Sequence, residues 1–222
     1  MRVPPTELVW SEARRLAGRT NCIVKLIVTR KGGRGYATEA NAPVRRIVAR
    51  YPLIELDTRC YADGVRLRWC RLRLAVQPAL AGLKHLNRLE QVHARAEWTD
   101  SRIHDGLMCS GEGEVISATA ANVFIVSGGR LRTPRLDRCG VAGVARGWII
   151  ARARRSMPVD ECDITIADVD AADEVFLSNA VRGIVPVRAI GVRRYEIGPI
   201  ARRLGYTLAK HGIGPAPDVF SR

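Results

Sequence analysis

The sequence predicts an α+β fold with a curled, barrel-like sheet, on three observations. Short strand-like runs recur between residues 22 and 192. Single helical stretches interrupt them irregularly instead of alternating with them one for one. Glycine steps such as Ser127-Gly128-Gly129 fold neighbouring runs into hairpins.

The first element is a helix over residues 6–18, with Thr6 as N-cap, Leu8, Val9, Ala13 and Leu16 as its apolar face, and Gly18 as its stop. Strands follow at 22–29 and 44–51, separated by the glycine-rich turn Gly32-Gly33-Arg34-Gly35-Tyr36. Residues 65–70 alternate apolar with basic, the period of a half-exposed strand. A helix rich in Leu, Glu, Gln, Ala and Arg is expected over 86–98. Short strands come next at 106–109, 114–117, 122–127 and 130–133. A helix over 143–156, strands near 163–166, 174–178 and 183–192, and a last helix over 197–211 complete the order.

The chain has 222 residues, 47% of them hydrophobic and 26% charged, which suits a globular protein with a sizeable core. Its net charge is +14, and only Lys25, Lys31, Lys84 and Lys210 among its 36 basic residues are lysines. Phosphate neutralisation in a nucleic-acid complex would use such charge. The arginines are spread through every segment, however, and aromatics make up only 5%. Solvated basic faces therefore explain the charge better than a nucleic-acid surface, and no nucleic-acid partner is expected. The six cysteines form no CxxC pair and no metal-like cluster with the four histidines, so reduced thiols and no metal site are expected. No run approaches a membrane span and no signal core opens the chain, so a soluble, cytoplasmic protein is expected.

Two places can carry chemistry. Lys84 sits in Leu80-Ala81-Gly82-Leu83-Lys84-His85-Leu86, at the expected passage from strand to helix. Apolar surroundings disfavour the ammonium, and a neutral amine is what Schiff-base chemistry needs. A lysine whose stem packs while its head reaches water is the commoner case, so context alone leaves both readings open. The second place is the glycine-punctuated turn of residues 138–146, which opens onto a helix. Free N–H groups at such an end suit a phosphate, although many glycine turns start helices without any ligand.

Five runs together resemble the class IV pyridoxal-phosphate enzymes (fold type IV) and, within them, the aminodeoxychorismate lyases. They are GGRGY at 32–36, LAGLKHLNRLEQV at 80–92, ATAANVFIV at 118–126, TPRLDRCGVAGVARGW at 133–148 and VFLSNAVRGIVPV at 175–187. The resemblance implies pyridoxal 5'-phosphate as cofactor, with Lys84 holding it covalently and moving protons. It implies that Gly143, Val144 and Ala145 receive the cofactor phosphate and that Ser178, Asn179 and Ala180 lie near it. Arg34 and Tyr36 fall where relatives face the substrate. Asn87 and Arg88 share the motif, with a helix-stabilising or packing role as the equal reading.

The implied reaction converts 4-amino-4-deoxychorismate, a small anionic substrate, to p-aminobenzoate and pyruvate. The alternatives are an aminotransferase of the same fold acting on branched-chain or D-amino acids, and an inactive basic fragment that binds nucleic acid. Relatives are dimers, so a homodimer is implied. The family pattern divides the chain into residues 1–75, the later part of a small N-terminal α/β domain, and residues 76–222, a large cofactor-binding domain.

The sequence departs from the pattern twice. Ser117 stands where the family usually has a glutamate that pairs with the pyridine nitrogen, which implies a weaker electron sink. The pattern also includes an earlier α/β segment with a phosphate-clamping arginine, so the chain is expected to be N-terminally truncated and to bind cofactor less tightly.

Overall fold

The computed structural model describes residues 4–32, 36–37 and 40–220, which form two compact units, Met1–Glu55 and Leu56–Arg222. In the first unit, helix α1 (Thr6–Ala17) precedes strands β1 (Cys22–Arg30) and β2 (Val44–Pro52). The strands pair antiparallel from Cys22↔Pro52 to Arg30↔Val44. Arg46 of β2 donates to Glu12 of α1 at 2.7 and 3.0 Å. Pro5, not Thr6, occupies the N-cap, and no side chain caps the helix. A proline with its φ already near the helical value suits a helix entrance, leaving Thr6 inside the first turn.

The second unit opens on the short helix α2 (Arg59–Ala62) and contains a nine-stranded sheet. Its strands are β3 (Val65–Leu74), β4 (Asp105–Ser110), β5 (Val115–Ala118), β6 (Asn122–Ser127), β7 (Arg130–Pro134), β8 (Val159–Cys162), β9 (Glu174–Asn179), β10 (Gly183–Ile190) and β11 (Arg193–Arg194). The order across the sheet is β5-β4-β3-β10-β9-β6-β7-β8, with β11 on β10. Parallel pairs (β10 with β3, β3 with β4, β7 with β8) mix with antiparallel ones. The sheet curls until its ends meet: Val115 N–H of β5 donates to the Ile164 carbonyl just beyond β8 at 2.7 Å. Closing the ends removes edges that would otherwise expose unpaired backbone. β3 lies inside this sheet, so the compact units divide at Glu55/Leu56 and not at residue 75.

Both sheet faces are buried, which is why β4, β6 and β9 read as nearly continuous apolar runs. One face joins Val123, Ile125, Leu177 and Val187. The other joins Phe124, Phe176 and Ile184 to helices α4 (Val144–Ala153) and α6 (Pro199–Lys210), and the two phenylalanine rings stack at 5.0 Å.

Two elements differ from expectation for reasons visible in their side chains. The helix expected over 86–98 is only α3 (Leu89–Arg95). Arg88 donates through Nε to the His85 carbonyl and through Nη2 to the Leu83 carbonyl, both at 3.0 Å. That guanidinium holds residues 83–88 as a loop and takes carbonyls that a continuing helix would use. The strand expected near 163–166 is replaced by β8 and then by α5 (Ile166–Asp170). Thr165 and Asp168 form a reciprocal capping box there, and Asp168 also accepts from Arg132 at 2.8 Å.

Candidate active site

The Lys84 loop is anchored to the segment that leads into α4. Gly82 N–H donates to the Gly140 carbonyl at 3.1 Å, and Ala142 N–H donates to the Gly82 carbonyl at 3.0 Å. Gly82 carries a φ of 76°, a left-handed conformation that glycine adopts without strain. Gln77 N–H donates to the Arg138 carbonyl at 2.8 Å one step earlier. Two stretches far apart in sequence, 77–82 and 138–142, are thus tied together, and Lys84 follows two residues after the Gly82 anchor.

Lys84 itself is exposed, as are Leu83 and Leu86 beside it. The desolvated setting expected from its apolar neighbours is therefore absent from this chain alone. The reason is geometric: the neighbours are apolar, but the loop turns them outward instead of packing them around the amine.

The α4 N-terminus has the donors expected of a phosphate cradle. Gly143 is the N-cap with no side-chain cap, and the first intrahelical bond runs from Gly147 N–H to the Gly143 carbonyl at 3.0 Å. The amides of Val144, Ala145 and Arg146 precede it and have no acceptor within the helix. A Cβ at Gly143 would collide with Oδ1 of Asn122, whose Nδ2 donates to the Val141 carbonyl at 2.8 Å. Arg146 fixes the helix from below, with its buried guanidinium on the Pro134 carbonyl at 2.8 Å and on Glu161 at 3.0 Å. Neither Asn122 nor Arg146 was assigned a role from sequence. The available signals were an amide within an apolar strand and a charged residue on the inward face of a helix.

The remaining expected residues gather around the turn between β5 and β6. Ser117 is buried in β5, and the neighbouring Ile116 side chain would lie 2.8 Å from a Cβ on Gly140. Ser178 pairs with Asn122 across β9 and β6, and its Oγ is buried without a protein partner. Asn179 donates to the Ala120 carbonyl at 3.4 Å and accepts the amides of Val181 and Arg182 at 3.0 and 2.7 Å. Asp105 accepts from the Thr119 amide and hydroxyl at 3.1 and 2.6 Å, steadying the same turn. Nearby, Arg182 Nη1 approaches His104 Nε2 at 3.1 Å. A guanidinium can only donate, so Nε2 of His104 is the acceptor, and burial, then the Arg182 charge, lower the His104 pKa. Tyr36 is fully exposed in the first unit, and Arg34 lies outside the described residues.

The Amino-transferase class IV family pattern matches residues 3–190. The chain belongs to that family. Within it, the chain is 33% identical over 204 residues to the aminodeoxychorismate lyase of Vibrio harveyi, covering 90% of this chain and 75% of that one. The structure of 4-amino-4-deoxychorismate lyase from Pseudomonas aeruginosa is similar at 46% identity and a TM-score of 0.81, covering 84% of this chain and 70% of that chain. A T.th. branched-chain amino acid aminotransferase complexed with N-(5'-phosphopyridoxyl)-L-glutamate shares the fold at 22% identity and a TM-score of 0.77, covering 99% and 74%. These class IV relatives bear out the α+β architecture with its curled sheet.

Present residues fit a phosphorylated aldehyde cofactor. An amine stands on a loop tied to a helix N-terminus whose amides are free, and the buried Ser178 hydroxyl has an unused hydrogen-bonding group. Among the described residues, none of the helices is long and apolar enough to cross a membrane, and all six cysteines are free thiols.

Proposed function

We propose that this chain is a pyridoxal-phosphate-dependent lyase that converts 4-amino-4-deoxychorismate to p-aminobenzoate and pyruvate. One observation supports the reading: the hydrogen bonds of Gly82 to residues 140 and 142, which tie the loop carrying Lys84 to the segment leading into α4. Its likeness to two aminodeoxychorismate lyases, at 33% and 46% identity, favours the lyase over an aminotransferase.

In this reading Gly143, Val144 and Ala145 bind the cofactor phosphate through backbone amides, which the α4 dipole reinforces. Asn122 and Arg146 hold that cradle in place. Ser178 and Asn179 flank the phosphate, and Ser117 faces the ring. Bound pyridoxal phosphate supplies an electron sink for the bonds being broken. Lys84 acts through Nζ: its amine would be the nucleophile that holds the cofactor, and once freed it would take the proton from the carbon bearing the substrate nitrogen. The same Nζ then delivers a proton to the departing three-carbon acid. Arg34 and Tyr36 are assigned to the substrate side, where a guanidinium pairs with a carboxylate.

The functional unit is a homodimer, supported by the exposed Leu83, Leu86, Leu89 and Val92 next to Lys84, each more than half exposed in the single chain. A second copy would also supply the desolvation that Lys84 lacks. Free thiols support a cytoplasmic, reducing setting.

The test combines reduction and product analysis. Borohydride added to the cofactor-loaded chain should fix the cofactor on Lys84 and spare Lys25, Lys31 and Lys210, as read by peptide mapping. Incubation with aminodeoxychorismate should release p-aminobenzoate, while an amino acid with 2-oxoglutarate should give little glutamate. Label on a different lysine would overturn the site, and the reverse product pattern would overturn the lyase assignment.

A further inference from the structure

Beneath the Lys84 loop lies a partly enclosed chamber of about 110 Å³, walled by Leu80 and Cys139 and by the polar side chains of His85, Arg88, Glu90 and Gln91. Its charged groups are committed elsewhere. Glu90 accepts the Ala75 amide at 2.8 Å, and Arg88 holds the carbonyls of residues 83 and 85. Two polar atoms are not committed: Nδ1 of His85 and Oε1 of Gln91 are both buried and reach no protein partner. Buried polar atoms without any partner are rare in folded proteins. With both charges spoken for, the chamber suits a neutral guest able to donate to an amide oxygen and to pair with an imidazole nitrogen. It is roomy enough for several water molecules, since roughly 10–15 Å³ of such volume suffices for one.

We propose that this chamber is an ordered-water site bridging His85 Nδ1 to Gln91 Oε1, and that the bridge makes His85 a positioning residue for Lys84. The loop from 82 to 88 has no regular secondary structure. Its backbone is pinned at Gly82 by residues 140 and 142 and at Leu83 and His85 by Arg88. The His85 ring goes down into the chamber while Lys84, the adjacent residue, is exposed. Tethering that ring through water to Gln91 in α3 therefore fixes the direction in which Lys84 leaves the loop. Bridging waters serve nearly as well as direct hydrogen bonds for this purpose.

The positioning role rests on the proposed chemistry of Lys84, whereas the water site stands without it, so two readouts separate them. Crystals of the full chain diffracting well enough to show solvent should hold an ordered water within hydrogen-bond distance of both atoms. A dry chamber, or His85 and Gln91 in direct contact, overturns the site whatever the activity. The second readout is the rate at which pyridoxal phosphate becomes fixable on Lys84 by borohydride. His85→Leu and Gln91→Leu should each slow it about tenfold, the usual order for a supporting residue behind a reactive group. The double variant should be no slower than either, because both changes break one shared bridge. His85→Asn, which returns a polar atom near Nδ1, should recover most of the rate with unchanged circular dichroism. Multiplying effects in the double variant, or no recovery with asparagine, overturns the positioning role. If the unaltered chain takes no label at Lys84, the functional reading falls and the positioning role with it, while the crystallographic water still decides the chamber.

Discussion

Gly143 is glycine because Asn122 leaves no room for a side chain there. Replacing it with alanine would push Oδ1 of Asn122 aside and loosen its bond to the Val141 carbonyl, tilting the first-turn amides of α4. Gly143→Ala is therefore expected to weaken pyridoxal phosphate binding about tenfold, on the scale of one charge-assisted hydrogen bond, in an absorbance titration. Its melting temperature should move by only a few degrees, since the position is a helix cap and not core. Unchanged affinity would remove this cradle from the site. Ser117 offers a second test at this scale. A serine cannot keep a pyridine nitrogen protonated, so Ser117→Glu should shift the bound cofactor's absorbance and divert some turnover from elimination to transamination. An unaltered spectrum and unaltered products would show that Ser117 is not beside the ring. At the residue scale, the positions proposed to carry the chemistry stand out as motif: Lys84, the 143–145 turn and the 178–179 step. What was not legible is exposure, because an apolar neighbour in sequence can point outward, as Leu83 and Leu86 do.

Elements in this fold are held at their ends by carboxylates. Glu174, buried in β9, accepts the amides of Ile200 and Ala201 at 3.1 and 2.9 Å and so caps α6. Truncation leaves two helix donors buried without a partner, at a cost of about 2–3 kcal/mol. Glu174→Ala should accordingly lower the melting temperature by roughly 5–10 °C. A change below one degree would mean that water replaces the cap freely. α5 makes a related prediction about acid. Asp168 accepts the Thr165 amide and hydroxyl and then the Arg132 guanidinium, and these contacts hold its pKa down at about 2, below its usual 3.8. A depressed carboxylate stabilises the fold above its unfolded pKa and loses that contribution as pH falls toward the folded value. Between pH 4 and 2 the chain should therefore lose stability faster than Asp168→Asn does, as followed by thermal melts across that range. Parallel curves would assign the acid sensitivity elsewhere. The sequence showed the strands well: residues 122–127 were expected at the bounds β6 has, because an apolar run between turn residues has few other solutions. It misjudged 86–88 and 163–166, where side chains of Arg88, Thr165 and Asp168 compete for backbone groups. Local periodicity carries no trace of that competition.

At the scale of the whole molecule, the net charge of +14 and the apolar surface near Lys84 pull in opposite directions. Many arginines are already paired, as in Arg130 with Asp160 and Arg146 and Arg154 with Glu161, which leaves an excess of positive charge for solvent. Two such chains repel at long range, while Leu89 and Val92, three residues apart on α3, and Leu86 in the loop before it present apolar area that a partner can bury. The proposed homodimer must therefore be held by apolar contact against like-charge repulsion. Salt screens that repulsion over about 10 Å at 0.1 M. Dimerisation should thus tighten as sodium chloride rises, contrary to an interface made of ion pairs. Leu86→Ser together with Leu89→Ser leaves the charge unchanged and removes about 1–2 kcal/mol of burial per side chain, twice over because both copies carry both changes, raising the dissociation constant roughly a thousandfold or more. Sedimentation velocity across a salt series distinguishes the cases. A double variant that still sediments as a dimer would move the interface elsewhere, and an unaltered chain whose dimer dissociates on adding salt would show that charge pairing, not the leucine face, joins the two copies.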